Sequence, residues 1–211
     1  MNDEKIPDIV LIYPTEFPDE LINEEIKTLE AENLNIAIKK VENEIYNSFE
    51  WIVPTTFAVY ILKPYFEAFL SEAGKDHYLL LKKGLKKIAE KGKKMSATLI
   101  TASESTHKLS GTYNQSLVLS VMIQTKNNRR IKLLFDNDLE KEDWDSAIDE
   151  ILNFVIENYE QYPKDKLNKL INNVNDDERK TIYAKINQQT KLIEFFDDKS
   201  LIYEFKNKNI R

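Results

Sequence analysis

The chain contains no cysteine. That count excludes a disulfide framework, a thiolate metal site and a cysteine nucleophile. Glycine is scarce too, with four in 211 residues, so a glycine-rich loop cradling phosphates has almost no material to form from. Only two histidines occur, His77 and His107. Long apolar runs are also missing. The apolar-rich stretch Trp51 to Leu62 is uncharged for only twelve residues and includes Pro54, whereas a membrane-spanning helix needs about 20 predominantly apolar residues. No membrane span is expected. The opening MNDEKIPD is acidic and polar and lacks the apolar core of a signal peptide, which makes the cytoplasm the default location.

What is present suits a folded α/β chain. Hydrophobic residues make up 42% and charged residues 31%, enough for a core with a solvated surface. The net charge of −6 argues against general nucleic-acid binding. The wealth of Lys, Asn, Ile and Glu points to an AT-rich bacterial coding sequence. At this length the reading is one domain spanning 1–211, with a parallel α/β half (1–111) and a hairpin–helix–hairpin elaboration (112–211).

Phe57-Ala-Val-Tyr-Ile-Leu62 is continuously apolar and rich in β-branched and aromatic residues, as a central strand buried on both faces requires. Lys63-Pro64 ends it, since proline cannot donate to a ladder but suits the first turn of a helix. Phe66, Phe69 and Leu70 then recur at helical spacing. Before this, Asp8–Tyr13 reads as a strand, Leu21–Leu29 as a helix and Leu34–Ile38 as a strand. Afterwards come a helix from Asp76 to about Glu90 ended by Gly92, and a strand at Ala97–Thr101. Strands alternating with helices indicate βαβ units and a parallel N-terminal sheet with flanking helices.

From Leu117 the pattern changes. LVLSVMIQT and RRIKLLFD flank Lys126-Asn-Asn, an antiparallel hairpin signal. Leu119, Val121 and Ile123 form its core-facing set. Asp143–Tyr159 is a long amphipathic helix, with Ile148, Ile151, Leu152 and Val155 on one stripe. Pro163 opens a short helix through Ile171. Lys180–Ile186 and Lys191–Phe196 form a C-terminal hairpin, and Leu201–Phe205 is read as a last strand.

Charge is unevenly spread. Lys82–Lys94 carries seven lysines and one acid, while Asp136–Glu150 carries eight acids and one lysine. Lys82, Lys83, Lys86 and Lys87 are candidate contacts to phosphates or an acidic partner, weighed against a solvated helix face. The acidic and basic blocks can pair within the fold or between subunits of a homo-oligomer. Ser103 and His107 lie in a polar loop after a strand, where open α/β sheets bind ligands. No strand–turn–helix elbow surrounds the serines, so a nucleophile is not indicated. Glu72, Asp76 and His77 could meet at a helix junction, but one imidazole makes a thin metal set, and Asp76 as a helix cap is the simpler reading. No metal and no cofactor are expected.

The strand Asp8–Tyr13, the central strand Phe57–Leu62 and the aromatic helix Tyr65–Glu72 together resemble small TIR-like and flavodoxin-like α/β domains. That resemblance covers about 100 residues. It implies a protein-interaction module or an NAD-cleaving effector, the enzymes using a glutamate on the helix after the third strand. Glu67 or Glu72 stands at the matching position. The serine usual after that strand is Lys63 here, and the expected tryptophan-containing segment is missing. The functional expectation is a non-enzymatic interaction or adaptor domain with a protein partner, in bacterial signalling or defence. The alternative is a TIR-like nucleotide-binding or NAD-cleaving domain.

Overall fold

The computed structural model describes residues 6–15, 19–21, 23–30, 34–42, 57–69, 74–94 and 115–208. Among these residues seven strands form one mixed sheet: β1 (Ile9–Pro14), β2 (Ile36–Val41), β3 (Phe57–Ile61), β4 (Gln115–Gln124), β5 (Arg130–Asp136), β6 (Ile182–Ile186) and β7 (Ile193–Phe196). Their order across the sheet is β2-β1-β3-β4-β5-β6-β7. The helices are α1 (Asn23–Glu30), α2 (Lys63–Phe69), α3 (Gly74–Lys94), α4 (Lys141–Gln161), α5 (Lys166–Val174) and α6 (Asp198–Lys208), with a 3₁₀ turn at Asp19–Leu21. No helix among the described residues is long and apolar enough to cross a membrane.

The α/β architecture expected from the sequence is present, with parallel pairs at β1–β2, β3–β4 and β5–β6. One junction departs from a purely parallel N-terminal half. β3 runs antiparallel to β1, with Ile9 opposite Ile61 and Ile12 opposite Ala58. Val41 and Phe57 therefore lie at the same end of the sheet, and strands so placed need no helical crossover between them. The three βαβ crossovers, β1 to β2, β3 to β4 and β5 to β6, carry α1, α2 with α3, and α4 with α5.

Period-2 alternation decides which side chains enter the main core. Ile9, Leu11, Phe57, Val59, Ile61, Leu119, Val121, Ile123, Ile131, Leu133, Phe135, Ile182 and Ala184 all face the layer formed by α1 to α5. Phe66, Leu81, Leu85, Trp144, Ile148, Ile151, Leu152, Val155, Leu167 and Ile171 meet them from the helices. Fully burying side chains of this size stabilises by ~1.5–3 kcal/mol each. Phe135 packs at 4.7 Å on Trp144, whose indole N–H donates to the Asp136 carbonyl at 2.9 Å. The predicted core-facing set of the hairpin is thus the observed one. Its turn carries Asn128 at φ 65°, a left-handed conformation that asparagine tolerates.

Several boundaries differ from expectation. α3 runs through Gly92 to Lys94, because its packing on α4 offsets the modest cost of an internal glycine. Leu201–Phe205 is not a strand but part of α6. Asp197 explains the change, since its carboxylate accepts from the Ser200 amide at 2.8 Å and from the Ser200 hydroxyl, which is an N-cap arrangement. Leu201 then packs on Leu134 and Tyr183 across the second face of the sheet. The expected strand Ala97–Thr101 lies outside the described residues.

Ile61 is fully buried in β3 between β1 and β4. Ile61→Asp places an unpaired carboxylate there at a cost of several kcal/mol, against a typical stability of ~5–15 kcal/mol. The expected outcome is insoluble protein or loss of a cooperative thermal transition by circular dichroism; an unchanged melting curve would remove β3 from the core.

Candidate functional site

Glu67 is positioned by α2, which starts immediately beyond β3. Tyr65 and Phe66 turn inward and are buried, so Glu67 projects to the surface with its side chain 48% exposed. Its carboxylate lies 3.7 Å from both Lys63 Nζ and Lys126 Nζ. The Lys63 amide donates to Gln124 Oε1 at 3.1 Å, the Tyr159 hydroxyl donates to the Gln124 carbonyl at 2.9 Å, and Phe66 stacks on Tyr159 at 5.0 Å. Burial, then the Glu67 charge, pushes the Tyr159 phenol well above its ordinary range. Glu67 thus stands in a lysine cradle where the parallel strands β3 and β4 end. Glu72, Ser103 and His107 lie outside the described residues. His77 is half-buried on α3, and no group of three or more His, Cys, Asp or Glu among the described residues is placed to hold a metal ion.

The four lysines of the basic stretch do not act as a set. α3 buries Leu81, Leu85, Ile88 and Ala89, which turns Lys82 and Lys86 toward α4. There they reach Asp149 at 3.0 and 2.7 Å. Lys83 and Lys87 stay exposed. Tyr78 adds a 2.6 Å bond to Asn153, while Lys93 donates to the Leu139 carbonyl and covers the Trp144 ring at 5.5 Å. These contacts align α3 antiparallel to α4. Burial alone would push the Asp149 carboxyl upward, but the bonds from Lys86 and Lys82 outweigh it and hold the group below its ordinary value. Pairing of the basic and acidic blocks within the fold is therefore real at Asp149.

Sequence reasoning missed the buried charge on the second face of the sheet. Lys132 and Asp136 on β5 and Lys185 on β6 are nearly inaccessible. Lys185 Nζ lies 3.5 Å from Asp136 and 3.1 Å from Glu204 of α6. A buried amine is tolerable only when paired in this way. The visible signal was the alternation itself, IKLLFD and IYAKI, in which lysines occupy the positions opposite the core. Those positions read as solvent-facing, and Lys185 finds its partner only once α6 brings Glu204 over the sheet.

Arg129 was also missed. It is fully buried after the β4–β5 turn, and its guanidinium donates to Asn172 Oδ1 at 2.9 Å and to the Asn175 carbonyl. A cation at those carbonyls satisfies the C-terminal end of α5. Its role is to fasten the hairpin to α5. No family model matches this chain, and no characterised protein or solved structure matches it.

Replacing Lys82 and Lys86 together with glutamine lowers the melting temperature by ~2–4 °C, the shift that about 1 kcal/mol produces in a chain of this size. The same change at Lys83 and Lys87 leaves it in place. Because folded Asp149 titrates below its unfolded value of 3.8, the stabilisation is present above that pH and is lost as pH falls through the lower folded value. Melting curves of both double variants at pH 7 and in strong acid check this, with the difference between them disappearing in acid.

Proposed function

We propose that this chain is a non-enzymatic interaction or adaptor domain that receives an extended segment of a partner protein along β7. The observation carrying this reading is the sheet edge left open among the described residues, beside exposed apolar side chains. β7 pairs with β6 alone among the described strands. Leu192, which leads into β7, is 60% exposed, and Tyr203 on the adjoining α6 is 70% exposed. The Asn187 amide donates to the Leu192 carbonyl at 2.9 Å. Antiparallel alternation from that bonded pair directs the backbone groups of Ile193 and Phe195 outward. Such a row is a template for an added strand, with main-chain bonds supplying affinity and side-chain contacts supplying selectivity. Bacterial signalling or defence is the setting that the composition and the TIR-like resemblance favour.

The alternative of a TIR-like NAD-cleaving domain draws on one observation, the place of Glu67 at the carboxyl ends of β3 and β4, where open α/β sheets bind ligands. The lysines flanking Glu67 suit an anionic ligand as well as they suit the glutamate itself.

Two measurements separate these readings. A partner captured from the native host by the full chain is purified and its binding measured by calorimetry. Leu192→Asp with Tyr203→Asp is expected to weaken that binding at least ~10-fold, the effect of losing roughly 1.4 kcal/mol of contact, while melting stays unchanged. Equal binding by the variant removes β7 as the docking edge. Separately, incubation of the purified chain with NAD is expected to release no nicotinamide; release that disappears in Glu67→Gln would favour the alternative.

A further inference from the structure

We infer that the outer face of the α3–α4 pair is a self-complementary surface on which a second copy of this chain docks about a twofold axis. This goes beyond the proposed partner edge at β7 and uses a different surface. The contacts Tyr78–Asn153, Lys82 and Lys86–Asp149, and Lys93–Leu139 set the two helices side by side and antiparallel in one layer. Along the outward side of α3, opposite its buried Leu81, Leu85 and Ile88, run Leu79, Lys83 and Lys87 at i, i+4 and i+8, all exposed, with Leu79 67% exposed. The outward side of α4 carries Glu142 and Glu160, both exposed, and the half-buried Glu150. The seam between them is already neutralised, because Asp149 takes both Lys82 and Lys86. The layer thus presents a basic ridge and an acidic ridge, parallel and one helix spacing apart, roughly 8–10 Å.

A twofold contact sets a patch against itself. With the axis lying along the α3–α4 seam, the basic ridge of each copy falls on the acidic ridge of the other. Positions along the helices are retained by that operation. Asp149 is level with Lys82 and Lys86, so Lys83 comes opposite Glu150 and Lys87 lies between Glu150 and Glu142. Each α3 then faces an antiparallel α4, which also sets the helix dipoles in a favourable sense. The net charge of −6 opposes association of two copies, so the attraction is local and acts within a Debye length of about 10 Å at ~0.1 M salt. Exposed pairs are individually weak. The dimer is accordingly weak and salt-sensitive.

Sedimentation equilibrium of the full chain at ~0.05 M salt and at ~0.5 M salt reads this directly, since screening tightens across that range. The expected result is a doubling of mass at low salt that is lost at high salt. Lys83→Glu with Lys87→Glu makes both ridges acidic, and Glu142→Lys with Glu150→Lys makes both basic. Each variant alone is expected to stay a single chain, and their equimolar mixture to form a heterodimer, with the melting curve of each checked to confirm folding. The neutral pair Lys83→Ser with Lys87→Ser serves if a charge-reversed chain does not fold, and it too is expected to stay a single chain. A native chain that keeps its single-chain mass at low salt, a dimer that survives in either reversed variant, or a mixture that fails to associate overturns the inference.

Discussion

The pairing of β3 with β4 is the constraint on which the rest of the chain depends. Phe57 opposite Leu119, Val59 opposite Val121 and Ile61 opposite Ile123 join strands separated by a long stretch of chain. Those six side chains form the middle of the single face that α2, α3 and α4 cover. A parallel pair cannot be closed by a tight turn, so α2 and α3 exist in the crossover partly to make this pairing possible. Once it is made, the hairpin β4–β5 and the edge beyond it have a template to extend.

The helical layer is then held by a seam that mixes packing with a few charges. Apolar burial along α3 and α4 supplies the bulk of the stabilisation, at ~1.5–3 kcal/mol per large side chain. The pairs from Lys82 and Lys86 to Asp149 contribute much less, because all three remain partly wet. Their effect is orientation. By drawing two lysines and one aspartate into the seam, they leave Lys83 and Lys87 of α3 and Glu142 and Glu150 of α4 outside it, and the surface chemistry of the layer follows from that partition.

The second face follows a different rule. There the sheet buries Lys132, Asp136 and Lys185, and Glu204 of α6 completes the Lys185 pairing. Replacing such a pair with apolar residues is often neutral for stability, whereas removing one member leaves an uncompensated charge. Arg129 does comparable work at the C-terminal end of α5, where its donors meet Asn172 and the Asn175 carbonyl. These buried ions set the places of α6 and of the hairpin; the apolar core does the folding.

Periodicity alone carried the strands Phe57–Ile61 and Arg130–Asp136, the hairpin turn at Asn128, the stripe of α4 and the final hairpin, because burial of one face imposes a repeat of 2 or 3.6 that survives in any reading of the residues. The α/β class follows from the order of those elements. The Asp197 cap was written in the sequence as well, yet Leu201–Phe205 read as a strand because so short an apolar run satisfies both periods. Other features were decided only by the tertiary structure. β3 turned antiparallel to β1, Lys82 and Lys86 parted from Lys83 and Lys87, Glu67 met Lys126 from a distant turn, and Lys185 met Glu204 of a helix far along the chain. Local repeats specify which way a side chain faces within its own element, whereas its partner depends on which distant element arrives within ~4 Å of it, and no periodicity in the chain encodes that distance.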